Sequence, residues 1–270
     1  MTPVLLPLSA ATSLDGGDSA SLHRTWWSWA GPHGGLLAAI ALRSAARLAG
    51  EGRTPRTLSA QFLSVLEVGA VPVRSRLLRE GGSSSTVASE LLAVDGSPAL
   101  TAVLTSGRSR RSGASYAAVP APEVPAWQDC APLELPVELV PFAANLEFRP
   151  ATPARPLGGG PRAELVAWVR LVEDEPVDSA ALTVLVDAMP PGLYAATAVP
   201  LPVPTVELTV SYASDVDIDP VRGWVLTRIA TRAAADGWCV DDSEVWAPDG
   251  RLLATSRQTR RVLGELVLGP

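Results

Sequence analysis

The stretch Ser179-Ala-Ala-Leu-Thr-Val-Leu-Val-Asp-Ala-Met189, opened by Asp178 and closed by Pro190-Pro191-Gly192, decides how this chain is read. Asp178 suits the position that accepts from the free N–H groups of a first helical turn, and a proline pair ends a helix. The spacing therefore predicts a helix over 179–189 that must bury its apolar sides. Strand-like runs follow at Thr205–Tyr212, Gly223–Ala234, Trp238–Ala247 and Leu252–Val262, with Asp249-Gly250 as a hairpin turn before the last.

The same order occurs in the first half. Residues Leu36–Leu48 are strong helix formers, with Arg43 and Arg47 four apart on one face and Gly50 and Gly52 as the stop. Runs at Thr57–Leu66, Val71–Glu80, Ser84–Val94 and Ala99–Gly107 come next, punctuated by Gly81-Gly82 and Asp95-Gly96. The repeat extends to detail: Asp-Gly precedes the last strand of each half, and Arg110-Arg111 and Arg260-Arg261 follow or end it. Two copies of one unit, a helix and then an antiparallel meander, are fused.

A sheet wrapped around a central helix buries both at once. The expected fold is α+β, a double hotdog: residues 1–110 form an N-terminal hotdog, 111–143 a linker and 144–270 a C-terminal hotdog, and the two sheets can join edge to edge. Leu146–Arg149 and Glu164–Val172 are predicted to open the second sheet. The corresponding strands of the first are expected within residues 3–30.

Composition narrows the function. Of 270 residues, 47% are apolar and 19% charged, which supports a sizeable core and excludes a disordered chain. The 22 basic residues, all Arg, face 28 acidic ones for a net charge of -6, and no basic stripe suggests nucleic acid. Cys130 and Cys239 lack C-x-x-C spacing, so a reducing compartment, the cytoplasm, is expected. Pro3 and Pro7 break the opening apolar run, so it does not read as a signal peptide, and no uninterrupted apolar segment reaches 18 residues, so no membrane span is expected.

The differences between the halves point to chemistry. The second predicted helix carries Asp187 among Leu185, Val186, Ala188 and Met189, where a carboxylate is poorly solvated. The first helix has Ala38-Ala39-Ile40-Ala41 there and no acid. An edge or capping position for Asp187 is the competing interpretation. Thr205 opens the next strand, with a hydroxyl that can donate and accept. Gln258 lies within the last, where an amide between Arg257 and Thr259 also fits an outward-facing position.

The order of helix Asp, first-strand Thr and last-strand Gln resembles the acyl-CoA thioesterase II family, the TesB-like double-hotdog enzymes. The matching segments are Leu182-Thr-Val-Leu-Val-Asp187, Thr205-Val-Glu-Leu208 and Leu252-Leu-Ala-Thr-Ser-Arg-Gln258. The resemblance implies that Asp187, Thr205 and Gln258 orient the attacking water. Two local departures stand out. The family commonly has Asp-His two and three positions after the Thr, where this chain has Glu207-Leu208, and Glu-Gly after the Gln, where it has Thr259-Arg260.

Gly31-Pro-His-Gly-Gly35 precedes the first helix, where exposed N–H groups and the helix dipole favour the negative charge of a thioester oxyanion. It is similar to the His-Gly-Gly at the helix start of single-hotdog thioesterases. One half would supply Gly34 and Gly35, with His33 in an orienting role, and the other Asp187. A helix start that needs Gly for close packing is the alternative. Trp26, Trp27 and Trp29 are read as core or as the wall of an acyl tunnel, and Arg43, Arg47, Arg110 and Arg111 as candidates for CoA phosphates.

The expected activity is hydrolysis of an acyl-CoA to acid and thiol, with no cofactor, no metal and no nucleic-acid or membrane partner, in a homo-oligomer. A noncatalytic acyl-CoA-binding protein and a biosynthetic thioesterase acting on carrier-protein-bound acyl chains are the alternatives. Dehydration is disfavoured, because the downstream Gly-and-Pro pattern of hotdog dehydratases does not follow His33.

Overall fold

The computed structural model describes residues 5–109, 116–213 and 216–269. In chain order these form α1 (Leu8–Ala11), β1 (Ser19–Leu22), α2 (Gly34–Ala46), β2 (Arg53–Phe62), β3 (Gly69–Glu80), β4 (Ser84–Leu92) and β5 (Pro98–Arg108). The second half follows with β6 (Leu146–Pro150), β7 (Glu164–Leu171), β8 (Pro176–Val177), α3 (Ser179–Leu185), β9 (Thr205–Tyr212), β10 (Val221–Arg222), β11 (Val225–Ala235), β12 (Trp238–Trp246) and β13 (Leu252–Arg261). Arg110 and Arg111 lie outside the described residues.

Eleven strands make one antiparallel sheet in the order β1-β3-β4-β5-β2-β9-β13-β12-β11-β7-β6. The first unit ends on β2 and the second begins on β9, and these two pair from Thr57 opposite Ser211 to Gln61 opposite Glu207. This edge-to-edge junction closes two open edges against each other. The units are not identical: β1 alone precedes the first helix in the sheet, whereas β6 and β7 occupy that end of the second. The repeat is visible again in its turns. Asp95 accepts from the Ser97 N–H at 2.9 Å and Asp249 from the Arg251 N–H at 3.0 Å, with the intervening Gly96 and Gly250 at φ 81° and 86°, which favours glycine.

The two central helices meet at the junction. α2 is buried along nearly its whole length, from Gly35 to Ala45, against β2 to β5, and it packs directly on α3. A Cβ at Gly35 would come within 2.8 Å of the Thr183 carbonyl oxygen and 2.9 Å of Val184 Cα, so the interhelix spacing requires glycine there. Trp26 and Trp27 are core residues, while Trp29 is exposed.

Three elements depart most from the sequence expectation, and the first is β2, which spans Arg53–Phe62 and so lies four residues earlier than the predicted run at 57–66. α2 begins at Gly34, so the two glycines belong to its first turn and His33 is its N-cap. α3, capped by Asp178 through a 2.8 Å bond from the Ala181 N–H, ends at Leu185, four residues early. Asp187 therefore follows the helix, its N–H on the Val184 carbonyl at 3.1 Å, in a tightened turn. The tighter turn continues through Ala188, whose N–H lies 3.4 Å from the Leu185 carbonyl, and the pre-proline restriction applies only at residue 189.

The predicted linker does not hang free. Val119, Val124, Trp127 and Cys130 pack on Trp168, Trp224 and Trp246 of the outer sheet face, where Trp168 Nε1 donates to the Pro125 carbonyl at 2.9 Å. Arg149 lies beside the stacked Trp127 and Trp224 rings and donates to the carbonyls of Trp127 and Cys130. This strap covers a face that would otherwise expose tryptophan.

Candidate active site

Strand alternation places the polar residues of β13. Ser256, Gln258 and Arg260 are buried and face the interior, while Arg257 points outward to Asp242. Gln258 is fully buried, which decides against the outward-facing position open to it from sequence. Asp241 on β12 sits directly opposite Gln258 in the register and faces the same interior.

These residues converge on Asp187, whose side chain is 9% exposed. Gln258 Nε2 donates to Asp187 Oδ1 at 2.7 Å, and the Gly35 N–H donates to Asp187 Oδ2 at 2.7 Å. The amide orientation follows from chemistry, because a carboxylate accepts only, so the NH2 end must face it. Gln258 Oε1 is left with no protein partner among the described residues. The first turn of one unit's helix thus holds the carboxylate of the other unit, with partial charges of opposite sign face to face.

His33 spans the same junction. Its Nδ1 accepts from the Leu36 N–H at 3.3 Å, and Nε2 lies 3.1 Å from the Asp187 carbonyl oxygen. With Nδ1 accepting, the ring proton must sit on Nε2 and donate to that carbonyl. Burial pushes the imidazole below its usual range, against the pull of Asp187, so the ring is held neutral. A fixed neutral ring with both nitrogens engaged is an anchor for the turn at Asp187.

Thr205 enters through a residue that the sequence did not single out as catalytic. Arg260, 5% exposed, donates from Nη1 to Thr205 Oγ1 at 2.8 Å, while its Nη2 lies 3.6 Å from Asp187 Oδ1 and its Nε 2.9 Å from Asp241 Oδ2. Among the described residues this is the hydrogen bond found for the Thr205 hydroxyl. The Arg260–Asp241 contact is an ion pair and not an aligned hydrogen bond, and the hydrogen bond Asp241 accepts comes from Thr231 Oγ1, to its other oxygen, at 2.6 Å. The available signal was the two-residue spacing: in a strand, Arg260 must share the face of Gln258.

The geometry qualifies the glycines. The Gly35 N–H is taken by Asp187, and a Cβ at Gly34 would meet Asp187 Oδ2 at 3.1 Å and Phe62 Cζ at 3.3 Å. No partner is found for the Gly34 N–H among the described residues. First-turn N–H groups point along the helix axis, so it faces the same side as that of Gly35. Arg43, at the far end of α2, is engaged by Asp178 at 3.1 Å and Thr12 at 2.8 Å.

Two family models match this chain. Residues 23–107 match the acyl-CoA thioesterase N-terminal domain and residues 115–262 the acyl-CoA thioesterase C-terminal domain. The chain belongs to the acyl-CoA thioesterase family. Its class of activity is thioester hydrolysis, and its double-hotdog architecture is that of acyl-CoA thioesterase structures. A hot dog fold protein of unknown function from Alicyclobacillus acidocaldarius superposes with a TM-score of 0.87 at 25% identity, covering 97% of this chain and 100% of that one. The acyl-CoA thioesterase II TesB2 from Mycobacterium marinum superposes at 0.73 with 18% identity, covering 96% and 99%. The tesB protein from Mycobacterium avium subs paratuberculosis superposes at 0.74 with 18% identity, covering 95% and 98%. A comparison with curated proteins finds no match. Among the described residues of this acyl-CoA thioesterase family member, no helix is long and apolar enough to cross a membrane.

Proposed function

We propose that this chain hydrolyses acyl-CoA thioesters with Asp187 as the general base. The observation that carries the reading is the pair of 2.7 Å bonds, from Gly35 of one unit and Gln258 of the other, that fix one nearly buried carboxylate at the junction. A carboxylate has about four acceptor sites and these two bonds use two, so capacity remains for a water proton.

In this scheme Gln258 Oε1 and the Thr205 hydroxyl hold a water beside Asp187. The water oxygen attacks the thioester carbonyl carbon as its proton passes to Asp187, and the carbonyl oxygen becomes an oxyanion facing the Gly34 N–H at the positive end of α2. Collapse breaks the C–S bond, and the proton held by Asp187 passes to the departing thiolate. The products are a carboxylic acid and CoA thiol, and the carboxylate of Asp187 is regenerated. No step calls for a metal or a redox cofactor.

Free-thiol release from short, medium, long and aromatic acyl-CoAs tests the reading. Asp187→Asn keeps an acceptor for the Gly35 N–H but cannot take a proton, and is expected to lose at least about 100-fold in kcat. Full turnover in that variant overturns the assignment.

A further inference from the structure

Arg260 is a buried guanidinium that touches three members of this constellation at once: Thr205 at 2.8 Å, Asp187 at 3.6 Å and Asp241 at 2.9 Å. We infer that Arg260 is a positioning residue of the site, which turns the Thr205 hydroxyl into a donor and sets a buried positive charge beside Asp187. The inference rests on the general-base reading above and goes beyond it, since it concerns a position where family members commonly have glycine.

The argument begins with Thr205. A hydroxyl carries one proton and two acceptor sites. Arg260 Nη1 can only donate, so it occupies an acceptor site and leaves the Thr205 proton free to be given away. A water between Thr205 and Asp187 is then held with an oxygen lone pair toward Thr205 and a proton toward the carboxylate, the orientation that attack requires. Without Arg260 the threonine proton could turn to Asp187 itself and compete with the water.

The second half concerns charge. The ionisable groups that face Arg260 and Asp187 are His33 from the start of α2, Asp241 and Cys239 from β12, and Tyr194 from the turn at Gly192–Ala195. Burial holds His33 neutral, keeps the Tyr194 phenol protonated and pushes the Cys239 thiol up to about 12. Arg260 is therefore the one cation of this group, set against Asp187 and Asp241. Asp241 is 1% exposed, held by Thr231 and 2.9 Å from the Arg260 Nε, so it offsets part of the guanidinium's charge.

The test uses acyl-CoA turnover across pH in the full-length protein, with thermal unfolding of each variant alongside. Arg260→Met is expected to lose about 10- to 100-fold in kcat with KM changed less than about threefold, as misplacement of a reacting group does. The low-pH limb of its kcat/KM profile should move upward by about one unit, because a nearby cation no longer opposes protonation of the base. Asp241→Asn should move that limb the opposite way, since it removes an anion and leaves Arg260 uncompensated. Arg260→Lys, which keeps the charge and loses the fork, should leave the limb near its wild-type place while kcat falls. Thr205→Val combined with Arg260→Met should lose little more than the worse single variant, because one acts through the other.

Unmoved limbs in both Arg260→Met and Asp241→Asn, or losses that multiply in the double variant, overturn the role of Arg260 while leaving Asp187 as base. Full turnover in Asp187→Asn overturns both. If Arg260→Met fails to fold, a downward shift of the limb in Asp241→Asn, against an unshifted limb and lowered kcat in the Lys variant, decides the matter.

Discussion

The Gly35 amide nitrogen lies 2.7 Å from Asp187 Oδ2, joining the first turn of one repeat's helix to a carboxylate 152 residues away in the other. A charge-assisted bond to a first-turn N–H is among the stronger hydrogen bonds a protein makes. It depends on the two units packing at this spacing, with Gly35 against the backbone of Thr183 and Val184. Neither unit alone carries the arrangement.

The two glycines should therefore fail differently. A methyl at Gly35 would meet backbone atoms at 2.8 and 2.9 Å, which cannot swing away, so α2 and α3 must part. Gly35→Ala is expected to lose about 1–3 kcal/mol in urea unfolding, together with most activity. A methyl at Gly34 meets Asp187 Oδ2 and the end of the Phe62 ring, at 3.1 and 3.3 Å. Phe62 can rotate, so Gly34→Ala should keep most of its stability and lose turnover. Equal stability losses in the two variants would contradict the packing argument.

Gln258→Glu tests the amide's function at nearly constant shape. It places a second carboxyl 2.7 Å from Asp187 in a fully buried position. Two carboxylates at that separation cannot both be charged, so one retains a proton to higher pH. At pH 8 the variant is expected to be at least about 100-fold slower, the size of a lost acid–base contribution. Acidification should recover part of the activity, because a protonated carboxyl can donate to Asp187 as the amide does. A pH profile parallel to the wild type would show that Gln258 does not contact the base during turnover.

Much of this was legible in the sequence, and the reason is local. The strands of both meanders announce themselves through apolar alternation bounded by Gly and Asp-Gly turns, and β3, β4, β5 and β9 follow the predicted runs to within two residues at each end. Periodicity also carries the inward placement of Gln258 once β13 is given. The sequence did not show that α3 would stop at Leu185, because the helix-forming composition continues to Met189 and no residue before Pro190 marks the earlier change to a tighter turn. Arg260 was visible only as a departure after Gln258 and as one of the arginine pair that ends the repeat. Its meaning depends on Asp241, Thr205 and Asp187, which come from three separate segments, and no local pattern encodes that meeting. The strap at 116–130 was equally hidden, since Pro-rich segments read as linkers whether or not a tryptophan face awaits them.

Tyr212 and Thr183 form a buried pair whose direction can be assigned. Thr183 Oγ1 donates to the Ser179 carbonyl at 2.7 Å, so at 2.6 Å Tyr212 must be the donor and Thr183 the acceptor. Burial raises the Tyr212 phenol above its ordinary range, which keeps the donor protonated. Thr183→Val removes the acceptor and strands the phenol, at an expected cost of about 1–3 kcal/mol in chemical denaturation. Thr183→Val with Tyr212→Phe should cost less than the sum of the singles, because both unpaired groups are gone. Additive costs would mean that the hydroxyls contribute independently.

His33 sets the response of the fold to acid. It is 3% exposed, accepts from the Leu36 N–H at Nδ1 and donates from Nε2 to the Asp187 carbonyl. Protonation would place a second N–H at Nδ1, directed at the Leu36 N–H, so the cation cannot keep both bonds. Burial holds the folded-state pKa below that of the unfolded chain, which is about 6.5. In the window between those two values the unfolded state binds more protons than the folded one. Stability therefore rises with pH through that window and is lost as pH falls from about 6.5 toward the folded pKa. Chemical denaturation at pH 8 and at pH 5.5 should show the protein less stable at the lower pH. His33→Gln, which retains a donor and an acceptor and has no proton to gain, should reduce that difference. An equally steep pH dependence in the variant would assign the acid sensitivity to another group and return His33 to a purely spatial role.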